Sequence, residues 1–124
     1  MDKVVHFELP FDNKERAMEF YKKMFGWSLM DMGAMDYVLV RAAATDANNM
    51  VSETGVINGG LFPRATAAPN PIVCVAVSSI DEKIKAIEAA GGKLVSPKVA
   101  IPNGHYARVA DCEGNVIGLV DSLK

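Results

Sequence analysis

The chain has 124 residues, half of them hydrophobic and 23% charged, enough for one domain with a substantial core. Its formal net charge is −2, with Lys and Arg scattered rather than massed, which excludes the basic surface that nucleic acid requires. No apolar run approaches the roughly 18 residues of a membrane span, the opening MDKVVHFELPFDNKERAMEF holds no signal or anchor stretch, and the two cysteines, Cys74 and Cys112, have no metal-type spacing and are too few for a disulfide framework, so the expected location is the cytoplasm.

Residues 4–9 are rich in Val and aromatic residues and read as a strand. Asp12 and Glu15 have capping-box spacing. Ala17, Met18, Phe20, Tyr21, Met24 and Phe25 then follow at the spacing of one buried helical face, and Gly26 stops the helix. Strands are expected at 27–32, 37–41 and 56–62, with an irregular and mobile loop at 42–55. The proline-rich connector 63–71, PRATAAPNP, marks a module boundary. Beyond it come a strand at 72–77 and a second capping box, Ser79 with Glu82. A stripe of Ile80, Ile84 and Ile87 follows, Gly91-Gly92 is the stop, and further strands lie at 93–99, 106–110 and 115–120.

The order is β-α-β-β-β, connector, β-α-β-β-β. An offset of 66 residues sets His6 on Ile72, Met18 on Ile84, Tyr21 on Ile87 and Gly26 on Gly92. The expected fold is therefore α+β: two tandem modules, about 1–63 and 72–124, joined by 63–71 in a single domain. Pairing them would cover both cores and leave a cleft between.

Four segments together carry a resemblance that runs over nearly the whole chain. They are VVHFELPFDNKERAMEFYKKMFGW, GGLFPR, IDEKIKAIEAAGGKLVSPK and GHYARVADCEGNVIGLVDS. The sequence resembles the vicinal-oxygen-chelate superfamily of glyoxalases, bleomycin-resistance proteins and extradiol dioxygenases. One departure is Cys112, which stands where such proteins often have proline. The resemblance implies curved mixed sheets around a cavity, a homodimer, and in many enzymes one divalent metal ion that stabilises a developing enolate or alkoxide. The ligands come from the first and last strands of each module. Carried over, the four positions fall on His6, Gly60, Ile72 and Gly118. Glycine has no side chain and isoleucine no lone pair, so one imidazole remains where three or more protein ligands are ordinarily needed. No metal and no other cofactor is therefore expected.

Glu8 shares a strand face with His6. A carboxylate facing inward must be paired or hydrogen-bonded, or else give up its charge, so Glu8 is either a buried partner of Arg41 or Arg108 or a general base. His6 is either a satisfied core histidine or a base near neutral pH. A set of His6, Glu8 and His105 would be the alternative metal site. Gly60 and Gly118 either leave volume for a ligand or accommodate a facing aromatic ring. Asn58, on the face of Gly60, is a polar ligand contact or a strand-end amide bonded to backbone. Tyr106 and Arg108 share a face and suit a carboxylate-bearing or aromatic ligand, or form a rim pair. Trp27 and Tyr37 are expected to pack, as are Met24, Met30, Met32 and Met35. Asp111 and Glu113 beside Cys112 argue against a reactive thiolate.

The leading expectation is a protein that binds a small organic molecule without a metal. The first alternative is a metal-independent isomerase or lyase with Glu8 or His6 as base, and the second a metal-dependent glyoxalase-like lyase. Neither nucleic acid nor membrane is an expected partner.

Overall fold

The computed structural model describes residues 1–48 and 51–121. The β-α-β-β-β order occurs twice: β1 (Lys3–Phe11), α1 (Lys14–Phe25), β2 (Ser28–Asp31), β3 (Val38–Arg41) and β4 (Asn58–Pro63) precede β5 (Ile72–Ala76), α2 (Ile80–Ala89), β6 (Lys93–Ile101), β7 (Gly104–Ala110) and β8 (Val116–Val120). A single 3₁₀ turn, Gly33–Met35, lies between β2 and β3. The chain divides into two compact units. One is His6–Pro71, and the other joins Met1–Val5 to the segment from Ile72 onward.

In the first unit the strand order is β2-β3-β4-β1. β1 and β4 are parallel, and β3 is antiparallel to both β4 and β2. Phe7, Leu9 and Phe11 alternate along β1 toward α1, where they pack with Ala17, Met18, Tyr21, Trp27, Val38, Val40 and Leu61. Period two then turns His6, Glu8 and Pro10 to the opposite face of the sheet. The helix begins one residue later than the Asp12–Glu15 spacing suggests. Asn13 is the extended residue, with φ −130°, and its Oδ1 accepts the Arg16 amide at 2.9 Å. Asp12 lies outside the cap and pairs with Arg64 Nε at 3.0 Å. At the other end Gly26 takes φ 69°, a left-handed conformation that costs glycine nothing, and its amide closes the helix on the Lys22 carbonyl.

In the second unit the order is β5-β8-β7-β6. β5 and β8 are parallel, and β7 is antiparallel to both of its neighbours. Ser79 Oγ accepts the Glu82 amide at 3.2 Å, the cap expected at that position. Val77, Ile80, Ala107, Val109 and Leu119 form the core, with Val75, Ile84, Ile87 and Ile117 against it. By the same alternation Ile72, Cys74, Tyr106, Arg108 and Gly118 lie on the face away from α2. Asp2 fastens the N-terminus to α2 through Lys83, at 2.9 Å.

β6 and β7 run further than 93–99 and 106–110, because Ile101 pairs with Gly104 across a two-residue turn. In the stretch expected as a mobile loop, Ala43 is buried and Thr45 forms an isolated bridge to Val51; residues 49 and 50 lie outside the described residues. Among the described residues no helix is long and apolar enough to cross a membrane.

Candidate functional site

On the face of the first unit's sheet away from α1, the geometry turns on Gly60. In register, Glu8 of β1 stands on one side of it and Leu39 of β3 on the other, while His6 pairs with Asn58. Tyr37, two residues before Leu39, lays its ring across the glycine. A Cβ built on Gly60 would overlap the Tyr37 hydroxyl. The missing side chain is therefore a passage: the phenol crosses β4 and its oxygen comes 3.0 Å from His6 Nε2 on β1. Of the two readings of Gly60, the structure has the facing aromatic ring.

Glu8 is 3% exposed, and it is the buried charged residue among those described. It shares its strand face with His6. Burial of the His6 imidazole pulls its pKa below 6.5, because desolvation penalises the charged form, while the negative charge of Glu8 opposes that shift. Asn58 lies beside His6, and its Oδ1 accepts the amides of Ala42 and Ala43 at 2.9 and 2.8 Å. That oxygen holds the start of the loop after β3. Arg41 is exposed.

The second unit repeats the arrangement. Gly118 pairs with Cys74 on one side and Arg108 on the other. A Cβ there would meet Cys74 Sγ at 2.7 Å and the Tyr106 hydroxyl at 3.0 Å. Arg108 Nε donates to the Tyr106 hydroxyl at 2.9 Å, and its guanidinium carbon lies 5.6 Å from that ring's centre. His105 falls on the other face of β7, where Asp121 receives both its amide, at 2.8 Å, and its Nδ1, at 3.0 Å. Cys112 is exposed, on a turn ordered by Asp111, whose carboxyl is held below 3.8 chiefly by hydrogen bonds from Asn115.

The four positions that would carry a metal can now be tested on geometry. His6 has a nitrogen, but Nε2 already meets the Tyr37 hydroxyl. Ile72 is buried and apolar. The space a ligating side chain would fill holds Tyr37 at Gly60, and is hemmed by Cys74 Sγ and the Tyr106 ring at Gly118. The residues do not fit a divalent ion. Among the described residues, no three His, Cys, Asp or Glu side chains gather as a metal-binding group. Tyr37, expected to pack, does lie against Gly60, and its hydroxyl also meets His6, a contact that sequence reasoning did not foresee. Its signal lies in the register: Tyr37-Val38-Leu39 and Tyr106-Ala107-Arg108 each put a tyrosine two residues before the partner of a glycine.

Residues 3–42 match the family model described as bleomycin resistance protein-like, N-terminal. Solved structures resemble the whole chain. A hypothetical protein from Bacillus halodurans C-125 is 13% identical with TM-score 0.63, covering 99% of this chain and 96% of its own. Methylmalonyl-CoA epimerase from Mycobacterium tuberculosis is 15% identical with TM-score 0.63, covering 98% and 88%. The Mn(II)-bound glyoxalase from Novosphingobium aromaticivorans is 14% identical with TM-score 0.67; the match covers 98% of this chain and 38% of the glyoxalase. The comparison with curated proteins gave no significant match. With its opening segment matching a bleomycin-resistance-like model, the chain has the fold of the vicinal-oxygen-chelate superfamily.

Proposed function

We propose that this glyoxalase- and bleomycin-resistance-like chain binds a small organic molecule without a resident metal ion. One observation carries the reading: both glycines at ligand positions are overlaid by tyrosine rings, which leaves His6 as the lone nitrogen of the set. The binding residues are His6, Glu8, Asn58 and Gly60 in the first unit and Tyr106, Arg108 and Gly118 in the second. Within each unit a tyrosine ring lies beside a few fixed polar groups, the mixture that small-molecule sites use. Fold alone does not assign function, so the reading rests on these side chains. Its test is a melt of the protein with a panel of aromatic and carboxylate-bearing compounds, bleomycin included, with and without a chelator. A binder present at 100 times its Kd stabilises by about 2.7 kcal/mol. The expected result is such a shift unchanged by chelator. Binding that appears only when metal is supplied would overturn the proposal.

The burial of Glu8 beside His6 favours a second reading, a metal-independent isomerase or lyase in which one of them is the general base on a carbonyl compound. Under that reading Glu8→Gln abolishes turnover while fold and binding stay nearly intact; full activity in Glu8→Gln rejects the role. The homodimer implied by the resemblance belongs to the same proposal. α1 leaves Phe20, Met24 and Phe25 exposed, apolar surface that a second copy would cover. A monomer in sedimentation at micromolar concentration would contradict it.

A further inference from the structure

The helix side of the sheet is filled differently in the two units. In the first, Phe7, Phe11, Tyr21 and Trp27 pack between α1 and the strands, and the Tyr21 and Trp27 rings stack with centres 5.3 Å apart. The 66-residue offset sets these four rings on Val73, Val77, Ile87 and Lys93. No ring stands at those places, and aromatic side chains supply much of the bulk of a core. A frame of helix and strands collapses only partly onto smaller side chains, so some of the difference remains as empty volume. The structure has that volume. A cavity of about 200 Å³ lies between α2 and the strands of the second unit, walled by Val75, Val77, Ile87, Val109, Ile117 and Leu119. Asp2 and Lys83, paired at 2.9 Å, complete its lining together with Asp111. Both side chains of the pair reach solvent. Exposed pairs are weak, so this one does not seal the cavity.

We propose that this cavity is a second binding site, on the α2 side of the sheet, for a compact uncharged aromatic ring. It does not depend on the reading above, whose residues in this unit, Tyr106, Arg108 and Gly118, lie on the face away from α2. Volume sets the ligand class. A cavity of about 150 Å³ walled by Leu, Ile and Phe side chains stays dry and takes up benzene. The cavity under α2 is larger, and its wall is of the same aliphatic kind. Charge sets the limit on that class. A carboxylate moved inside would lose its water and find no hydrogen-bond donor on six aliphatic side chains. At the polar part of the lining two carboxylates stand against one ammonium, and the excess negative charge repels an anion there. A neutral ring meets neither cost, and it restores to the second unit the kind of side chain that the first unit carries in its own core.

The probes are benzene and benzoate, one ring without and with a charge, titrated separately into methyl-labelled protein and read by proton–carbon NMR. Benzene should shift the methyl signals of Val75, Val77, Val109, Ile117 and Leu119 saturably and give intermolecular Overhauser contacts to them. Benzoate should leave the same signals in place. These measurements use the wild-type chain and need no variant to fold. Ile87→Phe puts an aromatic ring at the counterpart of Tyr21, so that the protein fills its own cavity, and it should weaken benzene binding at least about tenfold. Absence of a saturable benzene shift at these methyls would overturn the proposal. So would equal shifts with benzoate, or an unchanged benzene affinity in folded Ile87→Phe. None of these results bears on the face away from α2, so the metal-free reading stands or falls separately.

Discussion

His6 gives the site a dependence on pH whose sign follows from its surroundings. Its folded pKa lies below 6.5, so between that lowered value and 6.5 the unfolded chain binds more protons than the folded one. Stability from this residue is full above 6.5 and is lost as pH falls through the window. Asp2, Asp31, Asp111 and Asp121 also have lowered pKa values, but they start from 3.8 and act in a more acidic range. Melting temperature should therefore fall from pH 7 toward pH 5, and His6→Gln should flatten that slope without touching the acid limb below. Gly60 is the other sensitive position. Gly60→Ala sets a methyl on the Tyr37 hydroxyl, so either the ring or β4 must move. The expected cost is about 1–3 kcal/mol in a denaturant melt, with loss of the His6–Tyr37 contact in NMR. A neutral Gly60→Ala would mean that the ring does not lie there. The positions of His6, Glu8, Gly60 and Gly118 were legible from the repeat and the resemblance. The His6–Tyr37 contact was not, because it depends on a ring that crosses an intervening strand, and only the β3–β4–β1 register brings phenol and imidazole together.

Helix starts show how far local chemistry reaches. Asp12 and Asn13 are both competent caps, and the capping-box spacing to Glu15 favours Asp12. The extended backbone at Asn13 makes that residue the cap, and it leaves Asp12 to an exposed pair with Arg64. Asn13→Ala should cost about 1 kcal/mol. Asp12→Ala should cost less than about 0.5 kcal/mol, as exposed ion pairs do. Chemical denaturation of the two variants distinguishes the caps, and a larger loss in Asp12→Ala would move the helix start back by one residue. Ser78 and Ser79 are also both competent, but only Ser79 has a Glu three residues later, and the structure has the cap there. Strands were legible as apolar runs, but their ends were not. The β6–β7 ladder continues to Ile101 and Gly104 because a two-residue turn keeps the strands in register past the last apolar pair.

At the scale of the whole chain, the duplicated β-α-β-β-β order was legible because strand order, helix stripes and glycine stops recur at one offset. Each unit pairs its first and last strands in parallel, β1 with β4 and β5 with β8. That topology puts His6 beside Asn58, Glu8 beside Gly60, and Cys74 beside Gly118. The duplication thus explains why two glycines, two tyrosines and two polar partners recur together. Ligand identity was not legible, since a fold hosts many functions and no residue of either face singles out one substrate. Metal content tests the metal-free reading most directly. Tag-free protein, purified without chelators and then offered Ni, Zn, Mn and Fe(II), should retain less than about a tenth of an equivalent by elemental analysis, because one imidazole does not hold a divalent ion. One equivalent bound tightly would contradict the account and make metal-dependent glyoxalase-type chemistry the leading explanation.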